Sequence, residues 1–266
     1  MSVSIESTKM DFEHFVICGF RRSGTTLMLA VLCSDPRANA PAAESQTLTR
    51  IVEAYHWAEN NFDDFGSPYF ESRLEQRQLF SDACARFMLA AYRRTSSDGV
   101  LVLKHPALMN VLPAFRALSP ATNVVMMVRD PRDQIASELA LRSNGNCTVK
   151  QYSEALVSWH ERALPCEGVH IVRYEDLVSG FELEKARLER RFSLTLRFQA
   201  KKPWPDTSGL RGFRDKPSWS EKYGRPIDTK GVGRFRTDLS KPEVQTIEEI
   251  CGDLMEAYGY GRHPGG

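Results

Sequence analysis

The chain has 266 residues, 42% of them hydrophobic, and its 35 Lys plus Arg balance 34 Asp plus Glu for a net charge of +1. That length buries a sizeable core and suits one α/β domain spanning residues 1–266. The balanced charge argues against nucleic acid as a partner, so an anion site has to come from local placement of cations.

Six cysteines, Cys18, Cys33, Cys84, Cys147, Cys166 and Cys251, show no C-x-x-C spacing. This speaks against a zinc site or a disulfide framework and for a reducing compartment. The opening MSVSIESTKM lacks the apolar core of a signal peptide. No stretch reaches the ~18 apolar residues of a membrane span, and the expected location is the cytoplasm.

In chain order, nearly continuous apolar runs at His14–Gly19, Gly99–Lys104, Asn123–Val128 and Val169–Tyr174 predict four strands. Helical patterns fall at Thr25–Cys33, Thr47–Asn61, Glu71–Arg94, Ala107–Leu118, Asp130–Arg142 and Thr148–Leu164. This alternation indicates an α/β fold, a parallel sheet of four or five strands with helices on both faces. Lys241–Tyr258 makes a last amphipathic helix, with Ser240 as its N-cap and Pro242 in its first turn. Residues 203–236, rich in Pro, Gly, aromatic and basic residues, read as a long functional loop. Both ends, residues 1–11 and 261–266, are expected to be loose.

The first strand runs into CGFRRSGTTLM, where four residues separate Gly19 from Gly24, as in a phosphate-binding loop. A strand, a glycine-bounded turn and a helix opened by Thr25 and Thr26 present backbone N–H groups and a helix N-terminus to a phosphate. Nucleoside triphosphatase loops follow the second glycine with a lysine that reaches the β- and γ-phosphates. Here Thr25 takes that place, and the cations come early, at Arg21 and Arg22. The second and third strands end in Lys104 and Arg129, where Mg²⁺ chemistry calls for a carboxylate. These features suit an anionic cofactor with one 5′-phosphate carrying a sulfuryl group, bound without metal.

Taken together, FRRSGTTLM, VLKHP and VRDPRDQIAS resemble the PAPS-dependent sulfotransferases, in style closest to the tyrosylprotein and bacterial carbohydrate branch. The resemblance runs from about residue 14 to residue 258. It implies a P-loop-type fold, 3′-phosphoadenosine 5′-phosphosulfate (PAPS) as cofactor and adenosine 3′,5′-bisphosphate as product. It implies that Arg22, Ser23, Gly24, Thr25 and Thr26 hold the 5′-phosphosulfate. By the same resemblance, Arg129 and Ser137, eight residues on, bind the 3′-phosphate. An arginine fork with a hydroxyl beside it suits such a group. Lys230 and Gly231, in TKGVGRFR, match the family's late basic-glycine turn over the 3′-phosphate. Arg234 adds a cation where cytosolic members often carry Gly-Asp-Trp. Tyr174, in VRYEDL, resembles the strand-end tyrosine near the adenine. Arg132 is expected at the surface.

Sulfuryl transfer needs a deprotonated acceptor oxygen and positive charge at the leaving phosphate. Lys104, at its strand tip, is the expected cation beside Arg22. Glu44, in PAAES, stands near the spacing of the family's catalytic glutamate and is taken as general base. His105 is held in reserve: neighbouring strand-end side chains point to opposite sides, and cytosolic relatives place their histidine one residue later. Tyr55, His56, Trp57, Phe62, Phe65, Tyr69 and Phe70 divide between core and a candidate acceptor cleft. The acceptor hydroxyl stays open among carbohydrate, phenol, peptide tyrosine and lipid. A P-loop small-molecule kinase and a non-catalytic nucleotide-binding relative are the rival readings.

Overall fold

The computed structural model describes residues 10–95, 98–141, 147–202 and 226–261. Residues 203–225 of the expected long loop, and most of the two expected loose ends, lie outside them. Four strands, β1 (Glu13–Cys18), β2 (Val100–Lys104), β3 (Asn123–Val128) and β4 (Val169–Arg173), start and stop within one residue of the predicted bounds. All pair in parallel, in the order β2-β1-β3-β4, with Ile17 opposite Lys104 and Cys18 opposite Met126.

β1, β2 and β3 are buried along almost their whole length because helices cover both faces of the sheet there, whereas the edge strand β4 buries only Val172. Between β1 and β2 lie α1 (Thr25–Leu32), α2 (Gln46–Asn60) and α3 (Arg73–Thr95). α4 (Leu112–Leu118) precedes β3, and α5 (Pro131–Leu141) and α6 (Val149–Ala163) follow it. After β4 come α7 (Tyr174–Ser179), α8 (Phe181–Phe192), the short α9 (Phe235–Asp238) and α10 (Lys241–Ala257). Val16, Cys18, Leu101, Leu103, Val124 and Met126 point to one core, shared with α2, α4, α6 and α10. Their neighbours Phe15, Ile17, Val100, Val102, Val125 and Met127 point to the other, closed by α1, α7 and α8. No helix among the described residues is long and apolar enough to cross a membrane.

Three local differences from the predicted elements have physical causes. The helix expected over Ala107–Leu118 is split into a 3₁₀ turn at Pro106–Val111 and α4. Pro113 has no N–H to continue the first segment but is well placed in the first turn of the second. Helix α8, FELEKARLERRF, lies outside the expected elements because it buries only Phe181, Glu184 and Leu188, a narrow stripe in a charged sequence. Tyr174, expected as the last strand residue, instead opens α7.

The chain leaves β1 toward β2 on one side, and leaves β3 toward β4 on the other. The carboxyl ends of β1 and β3 therefore flank a topological switch point, the place where open α/β sheets bind ligands. The Gly19–Gly24 loop hangs from one lip of that crevice and Arg129 from the other.

Candidate active site

The loop after β1 is held by contacts from β3, α5 and α7. Gly24 is the N-cap residue of α1, at φ 98°, and no side chain caps the helix. A Cβ at Gly24 would come within 2.7 Å of the Tyr174 ring, so only glycine lets the loop lie flat against that tyrosine. Arg22 adopts a left-handed backbone at φ 68°, uncommon outside glycine. That conformation turns its carbonyl toward Arg129 Nη1, which donates to it at 3.0 Å, and its side chain toward Ser137 Oγ, reached by Nε at 3.2 Å. Arg21 points elsewhere, over the Phe20 and Tyr152 rings.

Gln134 and Asp133, in the first turn of α5, were not singled out by sequence reasoning. Gln134 Nε2 donates to the carbonyls of Phe20 at 3.1 Å and Arg21 at 2.6 Å, which ties the loop to the start of α5. In sequence both residues read as ordinary first-turn polar residues, and no signal separates them from a solvated helix start.

At the tip of β2, Lys104 is buried yet donates from Nζ to Glu44 Oε1 at 2.9 Å and to Thr26 Oγ1 at 3.2 Å. Burial holds its ammonium below the usual lysine range, with the Arg22 charge acting in the same direction and Glu44 opposing both. Glu44 is fixed over the strand end because the Ser45 amide donates to the Lys104 carbonyl at 2.9 Å.

His105 alternates with Lys104 as expected, yet it also meets Glu44. Its Nε2 lies 3.9 Å from Glu44 Oε2, and its Nδ1 is 2.8 Å from the buried Thr49 hydroxyl. The residue is extended, so strand alternation holds. Glu44 nevertheless reaches both side chains because its two oxygens straddle the strand tip. Burial pushes the His105 imidazole down from its ordinary value, against Glu44.

On the other lip, Arg129 is buried with its fork spread between two carbonyls, Arg22 and Gly231, the latter at 2.6 Å from Nη2. Its guanidinium stacks on the Tyr174 ring, 4.5 Å from the centroid. Burial raises the Tyr174 phenol above its ordinary range. Ser23 Oγ and Arg129 Nε are buried polar atoms with no hydrogen-bond partner among the described residues. A native structure leaves such groups orphaned only where something else serves them.

The structure brings Arg22–Thr26, Glu44, Lys104, His105, Arg129, Ser137, Tyr174 and Gly231 to one crevice. Lys230 is exposed beside it, at the turn. Arg234 is engaged outside, where its guanidinium pairs with Asp238 one helical turn on. Arg132 corrects its surface expectation: it is buried, clasped by Asp130 at 2.7 Å and Glu248 at 2.6 Å. Of the ring-bearing residues in 55–70, Tyr55 and Phe62 are core, whereas Trp57, Phe65 and Tyr69 are exposed.

A glycine loop leading into a helix at the switch point of a parallel sheet, with cations at the neighbouring strand tips, defines an α/β protein of the P-loop kind. The model of the Sulfotransferase family matches residues 14–197, and the chain belongs to that family. Among solved structures, the Sulfotransferase Domain from the Curacin Biosynthetic Pathway is similar with TM-score 0.61 and 15% identity, over 92% of this chain and 98% of that one. The Sulfotransferase Domain from the Synechococcus PCC 7002 Olefin Synthase gives TM-score 0.57 and 16% identity, over the same 92% and 98%. At these identities the likeness is one of fold. Comparison with curated proteins finds no match.

Proposed function

We propose that this protein transfers a sulfuryl group from PAPS to an acceptor hydroxyl on a small molecule, carbohydrate or peptide. The observation that carries this reading is the pairing of two separate cationic ends in one crevice. Lys104 stands at one and Arg129 with Ser137 at the other, with the Arg22 side chain reaching across to Ser137; among the described residues each end has a buried polar atom lacking a partner, Ser23 Oγ and Arg129 Nε respectively. One ligand with two phosphates satisfies both ends; a plain 5′-nucleotide satisfies one.

In this reading Arg22–Thr26 hold the 5′ end of the donor, Arg129 and Ser137 the 3′-phosphate, and Tyr174 lies beside the base. Gly231 and Lys230 cover the 3′ side, while Arg234 is left out by its pair with Asp238. When bound, the donor supplies a sulfuryl group already activated on a phosphate. Lys104 and Arg22 keep positive charge at the 5′ end, fixed in place before reaction, where it acts with little reorganisation. Glu44 takes the acceptor proton on Oε2, because Oε1 is engaged by Lys104. His105, 3.9 Å from that oxygen, is the second candidate base.

The test compares thermal unfolding with adenosine 3′,5′-bisphosphate, AMP and ATP with Mg²⁺. A ligand at a hundred times its dissociation constant adds about 2.7 kcal/mol of stability. The bisphosphate is expected to raise the melting temperature well beyond AMP at equal concentration. Equal stabilisation by the two, or a preference for ATP with Mg²⁺, overturns the reading.

A further inference from the structure

We propose that Asp133 is a positioning residue for the donor: its carboxylate clamps the 229–235 turn over Arg129 and so sets the discrimination for a 3′-phosphate. The proposal rests on the reading above, which places that phosphate at Arg129 and Ser137.

Asp133 is buried in the first turn of α5 and spends each carboxylate oxygen on a backbone amide from a segment far along the chain. Oδ2 accepts from Gly233 N at 2.6 Å and Oδ1 from Phe235 N at 2.9 Å. Two converging N–H donors need two acceptors on one rigid group, which a carboxylate supplies.

The turn's own hydrogen bonds are local. Val232 N donates to the Thr229 carbonyl at 2.8 Å and Lys230 N to Asp228 Oδ1 at 3.0 Å. Those bonds shape the turn but do not say where it sits. Its seat comes from α5 and its flanks: the Asp133 clamp, the Arg132 guanidinium 4.3 Å over the buried Phe235 ring, and the Arg129 bond to the Gly231 carbonyl.

At Gly231 the chain is pressed so close that an added Cβ would lie 2.9 Å from Tyr174 Oη and 3.1 Å from Arg129 Nη2. The clamp thus fixes the backbone directly over Arg129, assigned to the 3′-phosphate, and Tyr174, assigned to the base. Ser137, four residues after Asp133, lies on the same side of α5 and meets Arg22. One helical turn therefore carries a hydroxyl for the phosphate and a carboxylate for its cover.

Asp133→Asn tests this with little change of shape. The amide keeps one acceptor and sets an N–H₂ against the second backbone N–H, so the turn is released from one anchor. Calorimetric dissociation constants are measured for adenosine 3′,5′-bisphosphate and AMP on both proteins. The variant is expected to bind the bisphosphate roughly tenfold or more weakly, the size of one charge-assisted hydrogen bond. AMP affinity should stay within about threefold, so the ratio between the two ligands collapses.

An unchanged ratio in a folded variant overturns the proposal and leaves Asp133 a purely structural anchor. If the wild type itself does not distinguish the two ligands, the 3′-phosphate reading fails first, and this inference with it. Hydrogen exchange on the wild type needs no variant to fold. The Gly233 and Phe235 amides should be protected in the free protein and gain protection with the bisphosphate but not with AMP. Fast exchange at both amides in the free protein overturns the clamp.

Discussion

Replacing Arg129 by alanine removes the joint that ties the loop after β1 to the late turn. The guanidinium donates to the Arg22 carbonyl at 3.0 Å and to the Gly231 carbonyl at 2.6 Å, in a setting where the residue is only 6% exposed. Hydrogen bonds from a charged group contribute ~1.5–3 kcal/mol each, so two make ~3–6 kcal/mol. Part is offset, because the variant no longer desolvates a guanidinium and water can enter to serve the two carbonyls. A net loss of ~2–4 kcal/mol remains. At ~2–4 °C per kcal/mol for a chain of this size, the melting temperature should fall by roughly 5–15 °C. The assay is thermal unfolding followed by circular dichroism, repeated with adenosine 3′,5′-bisphosphate and with AMP. In the variant the two ligands should stabilise alike, since the proposed 3′-phosphate contact is gone. Arg129→Lys, with the charge kept but no fork, should fall between. A variant that melts within about 2 °C of wild type and still prefers the bisphosphate would refute both the bridging role and the ligand assignment.

Glu44→Gln should lower kcat by ~10²–10⁴, the usual worth of a positioned base, with bisphosphate affinity within a few-fold of wild type. His105→Ala should cost less; the reverse order of effects, read over a panel of sugar, phenol and peptide hydroxyls, would move the base to histidine. A third expectation concerns acid stability. His160 is buried against the Tyr258 hydroxyl at 3.1 Å, and burial pushes its imidazole down from 6.5 to about 4. Between those values the unfolded chain binds the proton and the folded one does not, so stability falls as pH drops from 6.5 toward 4 and is untouched above. The full loss from this group is about 3 kcal/mol, and His105 and His170, also lowered by burial, add in the same direction. Urea midpoints from pH 7.5 to 4.5 should slope less in His160→Gln than in wild type; parallel slopes would rule His160 out as a source of the acid sensitivity.

The features legible in the sequence were those with a local signature. A run such as VVMMV reads as a doubly covered strand, because every position is apolar and a half-exposed strand alternates. A cation directly after such a run, Lys104 or Arg129, has to emerge at the sheet's end. The glycine pair in CGFRRSGTTLM marks a turn that approaches a ligand closely, whatever follows it in space. Hydrophobic period and turn chemistry are properties of neighbours in the chain, so both could be read before the fold was known.

Partners were decided by the tertiary structure alone. The sequence reading sets Arg132 at the surface; only the fold brings Glu248 and Phe235 across to bury it. Alternation correctly set Lys104 and His105 apart, yet Glu44 spans both because the segment after α1 crosses the strand tip at Ser45. Asp133 and Gln134 look like any polar first turn, and their hydrogen bonds go to backbone groups roughly a hundred residues away. A backbone amide or carbonyl is the same in every residue, so a bond to one leaves no mark on the sequence at the far end.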